Sequence, residues 1–210
     1  MSKVKVVWAC RECGHSQPKW TGSCAGCQNW NTLVEEAAVV EEKPRFETKK
    51  TQPAKAVRIG EINPNAFCRI TTNMGELDRL FGGGIVEGSL VLIGGEPGVG
   101  KSTLMLQIAN ALAGQGLTVL YICGEESAEQ NSLRARRLSI DNPNLYLLSE
   151  TQFSAIRAQI EQIKPDVAIV DSVQIVYKSE LPSSPGSVVQ VREIATEFMH
   201  LVEEHGITTF

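Results

Sequence analysis

The sequence lacks any long apolar run. No stretch of its 210 residues approaches the roughly 20 consecutive apolar residues of a membrane-spanning helix, and the apolar part of the start, Met1 to Cys10, is too short for a secretory signal. Aromatic residues are few, at 6%, whereas 42% of residues are hydrophobic and 21% are charged. This balance is typical of globular proteins and excludes disordered and fibrous chains. We therefore predict a cytoplasmic protein without a membrane partner.

The chain also lacks a strong excess of charge of one sign, since 20 basic residues face 24 acidic ones. The net charge of −4 is nevertheless unevenly distributed. Residues 1–34 carry +3, from four basic residues against one acid; residues 35–56 sum to zero; and residues 57–210 carry −7, from 11 basic against 18 acidic residues. A polyanion would therefore contact the small basic module or particular loops rather than the whole surface.

The composition changes twice along the chain. The stretch from Glu35 to Pro53 mixes charges of both signs, contains prolines and shows no amphipathic period, as linkers do. We therefore predict three parts: a cysteine-rich module over residues 1–34, a linker over 35–56 and a larger domain over 57–210.

The larger domain has the pattern of an α/β fold. Short apolar runs alternate with longer amphipathic ones, which predicts a mainly parallel sheet. Runs rich in Val, Ile and Leu predict buried strands at 89–94, 117–123, 145–148 and 167–171. Ile207 to Phe210 resemble the opening of another core strand, so we expect the chain to be the N-terminal piece of a longer protein.

Capping residues mark two predicted helices. Ser127 with Gln130, and Ser187 with Gln190, have the spacing of a capping box, and Gly206 stands where a C-terminal cap belongs. In the second helix, apolar residues at helical spacing predict the buried face: Val188, Val191, Ala195, Phe198 and Val202.

Four of the six cysteines form two Cys-x2-Cys pairs with ten residues between them: Cys10, Cys13, Cys24 and Cys27. This spacing predicts a tetrahedral Zn²⁺ site, and because cysteine fills all four positions, the zinc would be structural rather than catalytic. Disulfides or a redox-active pair are the alternative, which the absence of an export signal disfavours. Cys68 and Cys123 have no partner spacing and are expected to be buried.

All three tryptophans lie in the cysteine-rich module: Trp8, Trp20 and Trp30. They could stack on the bases of single-stranded nucleic acid, beside the basic residues of the module. A module of this size has little else to form a core, so we favour the interpretation that the tryptophans pack inside it.

The strongest motif has the form G-x4-G-K-S, between the predicted strand at 89–94 and a helical segment. Backbone N–H groups, the helix dipole and Lys101 would hold the phosphates of ATP, and the Ser102 hydroxyl would ligate Mg²⁺. The predicted nucleotide-binding residues are Gly95, Glu96, Pro97, Gly98, Val99, Gly100, Lys101, Ser102 and Thr103.

Hydrolysis of ATP also requires carboxylates at the same edge of the sheet. Asp171 ends the strand at 167–171, and we predict that it holds Mg²⁺ through water or orients Ser102. Glu125 and Glu126 follow the strand at 117–123, and we predict Glu125 as the general base and Glu126 in a supporting role. The alternative is that both acids only favour the start of the next helix through its dipole.

Taken together, the motifs resemble the bacterial RadA (Sms) family of RecA-type ATPases, and their order and spacing carry the resemblance. They are the four cysteines with Pro18–Trp20, Gly22 and Trp30–Thr32, followed by Gly75–Gly84, Gly95–Thr103, Gly124–Ser127, Asp171–Ser172 and Ser183–Glu193. The resemblance implies a RecA-like P-loop ATPase core with a mainly parallel sheet, preceded by a four-cysteine zinc ribbon.

The resemblance further implies a DNA-stimulated ATP hydrolase in DNA repair and recombination. Such a protein binds single-stranded and branched DNA, promotes branch migration as a homo-hexamer, and works with recombinase and replication-fork proteins. It would place Lys101, Glu125 and Asp171 in catalysis and Lys178 on DNA, within a loop over residues 176–189. The family continues with a Lys-Asn-Arg-Phe-Gly motif and a Lon-protease-like domain, so we expect this chain to hydrolyse ATP poorly.

Two other functions share parts of the pattern. A zinc-containing small-molecule kinase also joins a phosphate loop to zinc, but its zinc element follows the core instead of preceding it. A RecA-type ATPase acting on protein partners shares the phosphate loop and the paired glutamates. The basic four-cysteine module favours DNA over both.

Overall fold

The computed structural model describes residues 4–39, 56–61 and 68–210, and the side chains of all of these except residues 4–6 and 37–39. The chain divides into two compact units, Met1–Cys68 and Arg69–Phe210. Each unit has its own sheet and its own core.

The first unit contains a three-stranded antiparallel sheet in the order β2-β1-β3. Its strands are β1 (Val4–Cys10), β2 (Ser16–Gln17) and β3 (Leu33–Val39). The strand β3 pairs with β1 along all seven residues, from Cys10 opposite Leu33 to Val4 opposite Val39. The stretch predicted as a linker therefore begins inside this strand, because residues 35–39 continue the ladder; residues 40–55 lie outside the described part.

The second unit is built on a four-stranded parallel sheet in the order β7-β6-β8-β9, beside a two-stranded antiparallel sheet of β4 and β5. Its strands are β4 (Arg69–Ile70), β5 (Ile85–Val86), β6 (Val119–Cys123), β7 (Leu145–Ser149), β8 (Val167–Asp171) and β9 (Thr208–Thr209). Its helices are α1 (Gly75–Leu80), α2 (Lys101–Ala113), α3 (Ala128–Arg137), α4 (Phe153–Ile163) and α5 (Val188–His205). A single 3-10 turn, Ile59–Glu61, lies in the first unit.

The predicted parallel sheet is confirmed, with one strand less regular than expected. The segment 89–94 forms a single bridge, from Leu90 to Thr209, next to the two-residue strand β9. The Thr209 N–H donates to the Ser89 carbonyl and the Val91 N–H donates to the Thr209 carbonyl, both at 2.8 Å. The segment thus lies beside β9 and leads directly into the phosphate-loop motif.

Strand β6 separates two hydrophobic cores. Its odd-numbered residues, such as Tyr121, face a core shared with α2, whereas Leu120 and Ile122 face a core shared with α4 and α5. All five of its residues are buried. Covering both faces of the sheet with helices explains why this strand is a continuous apolar run without alternation.

The predicted helix caps agree with the structure better than the predicted buried residues of α5 do. Ser127 and Gln130 form the complete capping box predicted for α3, and Gly206, with φ of 69°, caps α5. The predicted buried face of α5 is wrong at Ala195, which is exposed, whereas Ile194 is fully buried. The buried residues of α5 are Gln190, Ile194, Phe198, Leu201 and Val202, and Gln190 bonds to the preceding loop.

None of the helices in the part of the chain that the structure describes is long and apolar enough to cross a membrane.

Candidate functional site

The phosphate-loop motif forms a tight turn that ends at the first residue of α2. Gly98 and Gly100 have φ of 80° and 101°, a left-handed conformation that glycine adopts without strain. Gly100 is the N-cap of α2, and Lys101 and Ser102 begin the helix. The loop therefore lies at the positive end of the helix dipole, where backbone N–H groups favour anions.

Lys101 folds back over the loop. Its Nζ donates to the carbonyls of Gly95 and Glu96, at 2.7 and 2.8 Å. A single ammonium group is thus held among the carbonyl oxygens of the motif.

The carboxyl ends of β6 and β8 meet beside this loop, because Cys123 pairs in register with Asp171. The motif serine and the predicted carboxylates share one small cleft of about 30 Å³, which has room for a water molecule or an ion rather than an organic group. The residues that line it are Ser102, Cys123, Glu125, Glu126, Asn131, Arg134 and Asp171.

Asp171 is oriented by a residue that the sequence analysis missed. The hydroxyl of Tyr121, a fully buried side chain, donates to Asp171 Oδ2 at 2.6 Å. Burial and the carboxylate raise the pKa of Tyr121 well above its usual value, so the hydroxyl stays protonated and remains a donor. A tyrosine within an otherwise aliphatic buried strand is the only signal of this role in the sequence.

The two glutamates have different partners. Glu125 Oε1 accepts a 2.8 Å hydrogen bond from the Ser172 hydroxyl, whereas Glu126 forms an ion pair with Arg134. Neither Arg134 nor the contact of Ser172 with Glu125 was predicted. The backbone before the glutamates is tightly packed, because a Cβ at Gly124 would collide with the side chains of Ile175 and Thr151.

Lys178, predicted as a DNA contact, is engaged within the chain. Its Nζ lies 2.6 Å from Glu197 Oε1, and its side chain is only 22% exposed. The buried amide of Gln190 accepts from the Lys178 N–H and donates to the carbonyls of Lys178 and Ser183. The Gln190 side chain therefore holds the loop in place and does not complete a second capping box. The other half of the predicted box is present, since Ser187 accepts from the Gln190 N–H.

The four motif cysteines form a cluster in the first unit, with all sulfurs within 4.8 Å of one another. Cys10 and Cys27 Sγ lie 3.6 Å apart, and Cys13 and Cys24 Sγ lie 3.5 Å apart. These separations are too long for disulfides and close to the roughly 3.8 Å between sulfurs that a tetrahedral Zn–S distance of about 2.3 Å implies. The donor set thus fits zinc.

The cysteines of the cluster differ in their surroundings. The Thr32 hydroxyl beside Cys10 lowers the pKa of that thiol to about 6, whereas burial and the neighbouring sulfurs raise the pKa of Cys13 and Cys27. Among the unpaired cysteines, Cys123 is buried as predicted, whereas Cys68 is exposed, contrary to prediction.

Only one of the three tryptophans packs against the core of this unit. Trp8 is half-buried, but Trp20 and Trp30 are 55% and 74% exposed. The interpretation that all three pack inside is therefore wrong for two of them, because the core of this unit is made by the cysteines with Leu33 and Trp8.

Comparison with known proteins agrees with both units. A family model described as AAA domain matches residues 62–210, and one described as rubredoxin metal binding domain matches residues 8–35. Proteins named DNA repair protein RadA are 47% identical in Chlamydia trachomatis serovar D, 46% in Bacillus subtilis and 44% in Streptococcus pyogenes serotype M1. Each match covers 100% of this chain and 46% of the relative.

The chain thus spans slightly less than half the length of these curated relatives. The fold, the phosphate-loop motif and the four-cysteine cluster agree with the resemblance deduced from the sequence. The chain belongs to the AAA domain family, with a zinc-ribbon unit of the RadA type before that domain.

Proposed function

We propose that the chain is the ATP-hydrolysing part of a DNA repair protein and that single-stranded or branched DNA stimulates its turnover. The observation that carries the proposal is the shared cleft, in which the phosphate-loop Ser102 meets Asp171, Glu125 and Glu126. A loop that cradles phosphates, a metal-holding carboxylate and a base at one sheet edge are the parts that ATP hydrolysis needs.

Lys101 and the loop backbone bind the phosphates. The Lys101 ammonium exchanges the carbonyls of Gly95 and Glu96 for phosphate oxygens. Each hydrogen bond then joins a charged donor to a charged acceptor, which strengthens it. Ser102 and Asp171 would hold Mg²⁺, and the ion when bound neutralises charge on the phosphates. Tyr121 keeps the Asp171 carboxylate turned toward this point of the cleft.

Glu125 is the general base in this proposal. Its carboxylate accepts a hydrogen bond from the neutral Ser172 hydroxyl, which orients it without neutralising it. The carboxylate of Glu126 is instead engaged by the Arg134 guanidinium, which donates to its Oε1. Glu126 therefore supports the site by holding Arg134 at the cleft.

DNA as the ligand follows from the relatives, which are named DNA repair proteins and match this chain from end to end. On this basis the chain acts in homologous recombination, in branch migration by a homo-hexameric ring, with recombinase and replication-fork proteins as partners. The stretch from Val176 to Val189 is the proposed DNA contact, with Lys178 exchanging Glu197 for a phosphate.

The test measures ATP turnover, which we expect to be low in this chain alone, with and without a single-stranded oligonucleotide, over a series of salt concentrations. Stimulation that falls steeply with salt is expected, because Lys and Arg contacts to phosphates release counterions. The Lys101→Ala variant is the control and loses turnover under all conditions. Turnover that no DNA changes would contradict the proposal and favour an ATPase acting on protein partners.

A further inference from the structure

Two tryptophans of the zinc-ribbon unit are exposed to an extent unusual for this residue type. Trp30 is 74% exposed and Trp20 is 55% exposed, although tryptophan is highly buried on average in folded proteins. The indole of Trp30 lies on Gly22, where a Cβ would come within 2.8 Å of a ring carbon. The backbone thus supports the ring from one side and leaves the other side open.

Trp20 is supported in a similar way. Its ring meets Trp8 edge-to-face, with centroids 6.4 Å apart and planes at 68°. Trp20 precedes Gly22 by two residues, which limits the separation of their Cα atoms to about 7 Å. The backbone of Trp20 is therefore close to the residue that Trp30 covers, and we refer to these two exposed side chains as the tryptophan face.

Charges of both signs lie near this face, since Glu35 is opposite Trp8 in the sheet and two exposed bases lie in the same unit. Lys19 precedes Trp20 and is exposed, as is Arg11. The acid nearest in sequence to Arg11, Glu12, is engaged by the amide of Asn29. With a charge of +3 over residues 1–34 in a chain of net charge −4, this unit is the part best suited to a polyanion.

We propose that the tryptophan face is a stacking site for unpaired bases of single-stranded nucleic acid, with Lys19 and Arg11 on the phosphates. Exposed aromatic rings next to basic side chains are what base stacking requires, and stacking tolerates any sequence because every base has a π-face. The inference rests on the proposed function for its choice of ligand, but it locates binding in the zinc-ribbon unit, apart from the ATP cleft.

The chain provides its own probe for this site. Its only three tryptophans are Trp8, Trp20 and Trp30, so intrinsic tryptophan fluorescence reports on the zinc-ribbon unit alone. Titration of the zinc-loaded chain with oligo-dT is expected to quench this fluorescence. An abasic oligonucleotide of the same length carries the same phosphates without bases and is expected to leave most of the signal.

Variants separate stacking from other effects. Trp30→Ala is expected to weaken oligo-dT binding about 5- to 150-fold, the range for loss of one base stack, whereas Trp30→Phe retains a ring and most of the affinity. Because both side chains are exposed, the variants should keep their zinc, which a metal-release assay checks. Equal quenching by the abasic oligonucleotide, or equal affinity of Trp20→Ala and Trp30→Ala with the parent chain, would overturn the proposal.

The outcome is distinguishable from that of the proposed function. DNA-stimulated turnover without any quenching would overturn the stacking site alone and leave the tryptophan face to a protein partner. Quenching by oligo-dT without a change in turnover would support the stacking site and overturn DNA stimulation.

Discussion

The Tyr121 hydroxyl donates a 2.6 Å hydrogen bond to Asp171 Oδ2, across 50 residues of sequence. Tyr121 lies on β6 and Asp171 ends β8, and the two strands are neighbours in the sheet. The tyrosine ring is buried in the core shared with α2. Its hydroxyl is therefore held in place and orients the carboxylate.

Replacement of Tyr121 by Phe keeps the ring and removes the donor. Hydrogen bonds to charged groups contribute about 1.5–3 kcal/mol, so part of the orientation of Asp171 is lost. We expect the Mg²⁺ concentration for half-maximal ATP turnover to rise several-fold, measured at saturating ATP. Thermal unfolding of the variant controls for stability, and a Mg²⁺ dependence identical to that of the parent chain would refute the role of Tyr121.

Glu125→Gln and Glu126→Gln form a matched pair for the base. We expect Glu125→Gln to bind ATP normally and to lose hydrolysis by about 100-fold or more, the range for removal of a general base. Glu126→Gln should lose less, because it weakens only the ion pair with Arg134. The comparison uses single-turnover hydrolysis, and a larger loss in Glu126→Gln would reverse the assignment.

Ser172→Ala tests how Glu125 is held. This variant removes the hydroxyl that donates to Glu125 Oε1, so turnover should fall while ATP affinity stays unchanged. The double variant Ser172→Ala/Glu125→Gln should be no slower than Glu125→Gln, since Ser172 acts through Glu125. Additive losses in the double variant would show that Ser172 acts elsewhere.

The Lys178–Glu197 ion pair predicts opposite effects of two substitutions on DNA affinity. Glu197→Gln frees the Lys178 ammonium and should tighten binding of single-stranded DNA, whereas Lys178→Ala should weaken it. Loss of one phosphate contact should also reduce the slope of log affinity against log salt by about one. Fluorescence anisotropy of labelled DNA measures both, and an unchanged salt slope in Lys178→Ala would exclude Lys178 as a phosphate contact.

Removal of zinc should unfold the first unit and spare the second. Without a cation the four sulfurs lose the bonds that hold them together, and structural zinc supplies folding free energy outright. We expect chelation, or Cys24→Ser, to make residues 7–36 sensitive to protease, as mass spectrometry of the fragments would detect. ATP binding at Lys101 should persist, and loss of it on chelation would contradict the independence of the two units.

Much of the fold could be predicted because local signals agree with it. The strand from Val167 to Asp171 has the predicted bounds, and the capping box at Ser127 forms in full. The phosphate loop and the cysteine pairs are also local, since each motif specifies its own geometry. These features depend on residues close in sequence.

The contacts that could not be predicted join distant residues. Tyr121 with Asp171 and Lys178 with Glu197 depend on which elements are neighbours and at what rotation, which periodicity does not specify. The error at Trp30 has another cause: the expectation of a packed core assumed that the unit needs indoles inside it, whereas the cysteine cluster fills that place.

The central claim is that the loop from Gly95 to Thr103 and Asp171 form a Mg²⁺-dependent ATP site. The most direct test is equilibrium binding of ATP by isothermal titration calorimetry, with the parent chain and Lys101→Ala, each with and without Mg²⁺. One ATP bound per chain, tightened by Mg²⁺ and lost in Lys101→Ala, is the predicted result. Equal ATP affinity in both proteins, or affinity indifferent to Mg²⁺, would contradict the account.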